Sequence, residues 1–135
     1  MNWKKALIAT IVVFIVHEVV NFLVHGLILG SVYQTMMDTW RPDMNSMMWI
    51  MNIGNLIFAF FFVFIFAKGY DGKGIIEGVR YGLIMAGLIT IPGMLAQFTV
   101  YNVTFTLTLY WIIFGFIQLV IDGIVVSLIY KPLEK

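Results

Sequence analysis

Four long apolar stretches, separated by short polar ones, dominate this chain. Hydropathy predicts membrane spans at about 6–29, 47–67, 75–97 and 107–130. Each is close to the ~20 residues that an α-helix needs to cross ~30 Å of hydrocarbon, and none shows the alternation of a barrel strand. The pattern therefore predicts an all-α fold, a four-helix transmembrane bundle with short connections that forms a single domain over residues 1–135.

The connection after the first span is the longest, at about 30–46. Its apolar residues recur at roughly helical spacing, which predicts a short helix lying on the membrane surface. Pro42 should end this helix, because proline has no backbone N–H to donate and restricts the residue before it.

The first span is the most unusual, because it carries strongly polar residues in its middle and far half. At 100° per residue, His17, Glu18, Asn21 and His25 fall within an arc of about 100° on one side of the helix. An ionised carboxylate at the centre of a membrane helix costs roughly 2.5–3.5 kcal/mol, so this face should turn inward. The other spans contribute further polar residues, and together these predict a polar seam that includes Asn21, Asn52, Asn55, Gln97, Gln118 and Asp122.

Small residues form a stripe along the third span. Gly78, Gly82 and Ala86 recur every four residues, and Gly93 continues the same face. Small residues let neighbouring helices approach closely in a membrane, so this stripe is predicted to be a helix-packing surface.

The amino-acid composition is typical of a protein surrounded mainly by lipid. Hydrophobic residues make up 61% of it and charged residues 11%, whereas a soluble domain has about 45–50% and about 25%. A net charge of +1 provides no basic face for nucleic acid. The absence of cysteine excludes thiol chemistry and disulfides.

The distribution of charge predicts an orientation. Seven of the eight Lys and Arg residues lie in the end segments or the connection at 68–80, and Arg41 alone lies in the other two connections. The positive-inside rule therefore predicts that both termini are cytoplasmic. Trp and Tyr cluster at the predicted span ends, as expected for residues at the two membrane interfaces.

The seam is open to several interpretations. It could be a hydrogen-bonded structural core. It could instead be a proton or ion path with His17, Glu18 and Asp122 as relay groups and His25 at its outer mouth, since ionisable residues within membranes commonly mark such routes. Catalysis is not expected, because Asn21 stands where a second His of an H-E-x-x-H motif would be and no phosphate loop or G-x-S-x-G motif occurs. No cofactor is implied.

Metal binding is a further alternative. Imidazoles and carboxylates ligate zinc and similar ions, so His17, Glu18 and His25 are the candidate ligands. About 12 Å of helix separates the two histidines, and one ion could reach both only if the helix breaks. Thioethers favour Cu(I), and methionines cluster at or near the predicted outer face, but adaptable interfacial packing is the preferred interpretation of them. These methionines are Met36, Met37, Met44, Met47, Met48 and Met51.

Two stretches carry a resemblance to known proteins: NFLVHGLILGSVYQTMMDTWRP and KGYDGKGIIEGVRYGLIMAGL. They resemble small four-span bacterial membrane proteins of the DUF1761-like kind, a family of uncharacterised function. The resemblance implies a four-helix membrane fold and a bacterial inner membrane, and it implies no activity.

Two functional classes follow from the sequence. The first is a non-catalytic accessory or assembly subunit that acts through helix–helix contacts with itself or with other membrane subunits, and the small-residue stripe favours it. The second is a small transporter or channel for protons or a cation, including a metal ion, which uses His17, Glu18, Asn21 and His25 with Asp122.

Overall fold

The computed structural model describes residues 1–132. Lys135, one of the basic residues used to predict the orientation, therefore lies outside the described residues. Every regular element among the described residues is helical. Helix α1 (Trp3–Asn21) continues into a π-helix (Phe22–Ile28) and is followed by the short α2 (Gly30–Gln34) and a 3₁₀ turn (Met37–Thr39). Three long helices complete the chain: α3 (Met44–Lys68), α4 (Ile75–Val100) and α5 (Phe105–Ile129).

Four segments are long and apolar enough to cross a membrane: Trp3–Ile28, Met44–Lys68, Ile75–Val100 and Phe105–Ile129. They match the four spans predicted from hydropathy, with ends that differ by no more than three residues. The all-α, four-span fold is therefore confirmed. A short helix is present in the first long connection, as α2, but it ends at Gln34 rather than at Pro42, and only a 3₁₀ turn follows it at Met37–Thr39.

The four long helices run alternately up and down. The backbone N–H of Asn2 donates to the hydroxyl of Tyr130 at 3.3 Å, which brings the two chain ends together. We call the end with both termini and the connection at 69–74 the terminal end. The opposite end, with the connections at 29–43 and 101–104, is the far end.

Packing is closest between α4 and α5, where the small-residue stripe of α4 is buried. A Cβ added at Gly78 would lie 2.6 Å from Oγ of Ser127, and one at Gly82 would lie 2.7 Å from Cα of Val120. These distances are too short for any side chain, so glycine lets the two backbones touch. At Gly93 an added Cβ would meet nothing within 4 Å, and no helix approaches there in the described chain.

The main apolar core fills the half of the bundle nearest the terminal end. Ala9 and Val13 of α1 pack there with Ala59 and Val63 of α3, all of them inaccessible to solvent. The hydroxyl of Tyr81 on α4 donates to the carbonyl of Phe62 on α3 at 2.6 Å, and their rings lie 4.6 Å apart. The bundle is therefore closed at this end.

The 69–74 connection is a tight turn that requires glycine. Gly72 and Gly74 have φ values of +78° and +68°, which other residues rarely adopt. The carboxylate of Glu77 accepts hydrogen bonds from the backbone N–H groups of Asp71 and Lys73 at 2.6 and 2.7 Å. The ammonium of Lys73 also bonds Asp71 and holds the pKa of that exposed carboxyl below its usual value.

Candidate functional site

The polar residues of α1 bind two different neighbouring helices. Nδ1 of His17 lies 2.7 Å from Oδ2 of Asp122 on α5, while Oε1 of Glu18 accepts a hydrogen bond at 2.7 Å from the amide of Asn55 on α3. Adjacent residues point about 100° apart on a helix, so one polar pair of residues can connect α1 to both neighbours.

Asp122 is the most deeply placed ionisable residue of the seam. Its side chain is 0% exposed, whereas that of His17 is 12% exposed. One carboxylate oxygen contacts the imidazole, and the other, Oδ1, is buried with no hydrogen-bond partner among residues 1–132. Buried polar atoms are almost always paired, so this single unpaired oxygen marks a place where a proton or a bound ion would be stabilised.

A second contact holds the imidazole-bearing turn of α1 against α5. The amide of Gln118 donates to the backbone carbonyl of His17 at 2.9 Å. Gln118 lies one turn before Asp122 on α5, so both side chains contact His17 of α1. The ring of Phe58 on α3 packs 5.1 Å from the imidazole and restricts its orientation from the other side.

His25 belongs to a separate cluster at the far end. It lies in the π-helix, and its Nδ1 is 2.5 Å from the hydroxyl of Tyr33. The same hydroxyl accepts from the indole of Trp111 at 2.7 Å, and the indole of Trp40 donates to the Tyr33 carbonyl at 3.2 Å. Burial raises the pKa of Tyr33, partly offset by the hydrogen bond from Trp111, so the phenol stays neutral and can donate to His25.

The predicted metal ligands are therefore not gathered into one site. His17 contacts Asp122, Glu18 contacts Asn55 and His25 contacts Tyr33, so each has its own partner. No group of three His, Asp or Glu residues suited to hold a metal ion occurs in the described part of the chain. The change from α-helix to π-helix after Asn21 does not bring His25 close enough to His17 for both to bind one ion.

The remaining seam residues divide into two groups. Asn55, Gln118 and Asp122 make the contacts described above. Asn21 is half-buried, Asn52 and Gln97 are exposed, and the side chains of these three make no hydrogen bond within residues 1–132. The structure thus brings together the inner part of the predicted seam and leaves its far part open.

Sequence reasoning did not identify two features. The aromatic partners of His25 were read only as interfacial residues, because a helical wheel does not tell which loop folds back over a span. The second is the close approach at Gly115 of α5, where an added Cβ would lie 3.0 Å from Oγ1 of Thr90 on α4. Small residues on both partners of a helix pair would have been the available signal.

The fold and the seam define this protein as a multi-pass membrane protein with a four-helix bundle and ionisable residues inside it. No family model matches the chain, and neither the curated proteins nor the solved structures contain a significant match. Its function is therefore argued from its own residues.

Proposed function

We propose that this protein is a small transporter or channel for protons or a small cation, in which His17 and Asp122 are the relay groups. The observation that carries the proposal is the buried Oδ1 of Asp122, which lacks a partner in the described chain beside an imidazole 2.7 Å from the other oxygen. A carboxyl and an imidazole in contact can pass a proton between them, and intramembrane pairs of this kind commonly mark ion routes.

The two relay groups differ in burial. The side chain of His17 is 12% exposed and that of Asp122 is 0% exposed, so a proton passed between them moves between a partly accessible position on α1 and a fully buried one on α5. Glu18, the next residue on α1, contacts Asn55 of α3 instead. Such a transfer needs no catalytic chemistry, and we propose accordingly that the protein is not an enzyme.

The test is proton uptake into liposomes that contain the purified protein. Asp122→Asn should reduce uptake at least tenfold, because the amide keeps the size of the side chain but cannot exchange a proton. Asp38→Asn is the matched control, since it removes an exposed carboxylate at the far end and should leave uptake unchanged. His17→Gln provides a second variant should the Asp122 variant fail to fold.

Two results would contradict the relay. The first is a wild-type protein that circular dichroism shows to be folded but that takes up no protons or alkali cations above the level of protein-free liposomes. Alternatively, folded Asp122 and His17 variants could conduct as fast as the wild type.

An accessory or assembly subunit is the second candidate. The long, lipid-accessible surface of α3 at the far end favours it, because residues there are exposed on all sides of the helix. The small-residue stripe, which supported this role at the level of sequence, is occupied by α5 within the chain. A protein that lacks flux and migrates in native gels of its own membranes as a larger complex would favour this second role.

We also propose a bacterial inner membrane as the location, with the terminal end in the cytoplasm. The basic residues of the terminal end support the orientation through the positive-inside rule. The resemblance to small DUF1761-like bacterial proteins supports the location.

A further inference from the structure

The two oxygens of the Asp122 carboxyl have different surroundings. Oδ2 lies 2.7 Å from Nδ1 of His17, while Oδ1 has no hydrogen-bond partner among residues 1–132. The whole side chain is buried, so neither oxygen meets lipid or water at the surface of the protein. An ion that binds at Asp122 must therefore first pass a neighbouring side chain.

The imidazole of His17 connects this buried carboxyl with the surface of the bundle. The side chain of His17 is partly exposed. Its Nδ1 faces Asp122, whereas its Nε2 makes no hydrogen bond within the described residues and, unlike Oδ1 of Asp122, is not fully buried. One ring therefore presents one nitrogen to the carboxyl and the other to a more accessible side.

Neighbouring residues hold the imidazole in place and determine how it can be approached. Gln118 binds the backbone carbonyl of His17, and the ring of Phe58 packs 5.1 Å from the imidazole. Val13, one turn before His17 on α1, is inaccessible within the apolar core, whereas Asn21, one turn after it, is half-buried. The approach to the imidazole along α1 is therefore apolar on the side of the terminal end and polar on the side of the far end.

A proton and a metal cation need different surroundings at such a site. A proton binds to a single oxygen or nitrogen, whereas a cation without its water shell is surrounded by several oxygens, as in the carbonyl rings of potassium channels. Asp122 offers one oxygen that is not already in contact with the imidazole. No group of three His, Cys, Asp or Glu residues suited to hold a metal ion occurs within residues 1–132. These surroundings suit a proton.

We propose that the transported ion is the proton, and that it reaches Asp122 through the imidazole of His17. This inference rests on the proposed function, for which it selects the proton from the small cations and assigns the two nitrogens. Nε2 accepts a proton from the accessible side, and Nδ1 gives its own proton to Oδ2. The ring ends neutral with its proton on Nε2, and the carboxylate becomes a neutral acid, which is less costly to bury than a charge. One proton has then been gained, and the reverse steps release it.

Ion selectivity is measured on the wild-type protein, so this test does not depend on the folding of a variant. Liposomes that contain the protein should take up protons, whereas uptake of radioactive sodium or rubidium should stay at the level of protein-free liposomes. Alkali-cation uptake that Asp122→Asn abolishes would overturn the proton assignment and keep the proposed function as a cation transporter. Absence of flux for all three ions would contradict the proposed function itself.

Passage through the ring is tested by removing the imidazole and supplying it in solution. His17→Ala should lower proton uptake at least tenfold, and free imidazole should restore it several-fold, because a free ring beside Asp122 again offers two nitrogens that exchange protons. 1-Methylimidazole is the matched compound. It has a similar size, but its methylated nitrogen cannot bind a proton, so it should not restore uptake.

A double variant, His17→Ala with Asp122→Asn, is the control for imidazole that carries protons across the lipid by itself, and its rate is subtracted. Equal rescue by both compounds would mean that the ring only fills space, and rescue by neither would mean that protons do not pass through an imidazole. Either result would overturn the proposal, while wild-type proton flux that Asp122→Asn abolishes would still uphold the proposed function. Uptake by folded His17→Ala at the wild-type rate would also overturn the proposal.

Discussion

Single side chains join parts of this protein that are far apart in the chain, and Tyr33 is the clearest case. Its hydroxyl contacts His25 of the π-helix and Trp111 of α5, and its carbonyl accepts from Trp40. One residue of a surface connection therefore links the first and last spans at the far end. The His17–Asp122 pair does the same in the interior of the bundle.

Removing the Tyr33 hydroxyl should destabilise the far end. Tyr33→Phe leaves the buried Trp111 indole and the exposed His25 imidazole without their partner, and an unsatisfied buried group such as the indole N–H costs about 1–3 kcal/mol. We expect a loss of this size in the free energy of unfolding, measured by denaturation in detergent micelles. Tyr110→Phe is the control, because Tyr110 is exposed, and it should change stability by no more than about 0.5 kcal/mol. Equal stability of the two variants would contradict the structural role of the hydroxyl.

The helices of the bundle are not all packed equally closely. Helices α4 and α5 form a tight antiparallel pair, since glycines and small residues on both let the backbones meet. Helix α3 packs on α1 from its middle, where Asn55 contacts Glu18, toward the terminal end. The closely packed α4–α5 pair therefore supports Asp122, while the residues at the start of α3 are mostly exposed.

The α4–α5 contact predicts opposite effects for two glycines of the same helix. Gly82→Ala should destabilise the protein by about 1–3 kcal/mol, because the new methyl group would overlap the backbone of α5. Gly87→Ala meets nothing within 4 Å and should be neutral or stabilising by up to about 1 kcal/mol, since alanine favours the helix. Thermal unfolding in detergent distinguishes them, and equal effects would mean that α4 and α5 do not touch at Gly82.

The whole molecule is asymmetric along the membrane normal. The terminal end contains the main apolar core and carries most of the positive charge, while the far end has a smaller apolar cluster that includes Leu107 and Trp111, with Asn52 and Gln97 exposed nearby. The orientation of the protein therefore determines which compartment each end meets.

Orientation can be tested in intact cells with impermeant thiol reagents. Lys73→Cys, in the connection of the terminal end, should be labelled only after the inner membrane is opened. Asn102→Cys, exposed at the far end, should be labelled in cells whose outer barrier alone is permeable. The reverse pattern would place the terminal end outside and the far end in the cytoplasm.

Local sequence is enough to predict the spans and the polar face of α1. A helix must present about 20 apolar residues to cross hydrocarbon whatever its neighbours are, so hydropathy alone located all four long helices. Helical periodicity also placed His17, Glu18 and Asn21 on one side of the first span, because the angle between successive residues is constant.

Only the tertiary structure decided which polar residues meet. His17 and Asp122 are 105 positions apart, and a wheel gives the direction of a side chain but not the identity of the helix it faces. The same reason separates His25 from the expected metal ligands and Gly93 from the packing stripe. Burial and pairing both depend on which helices pack together, and contacts between distant segments determine this because the four helices have similar apolar surfaces.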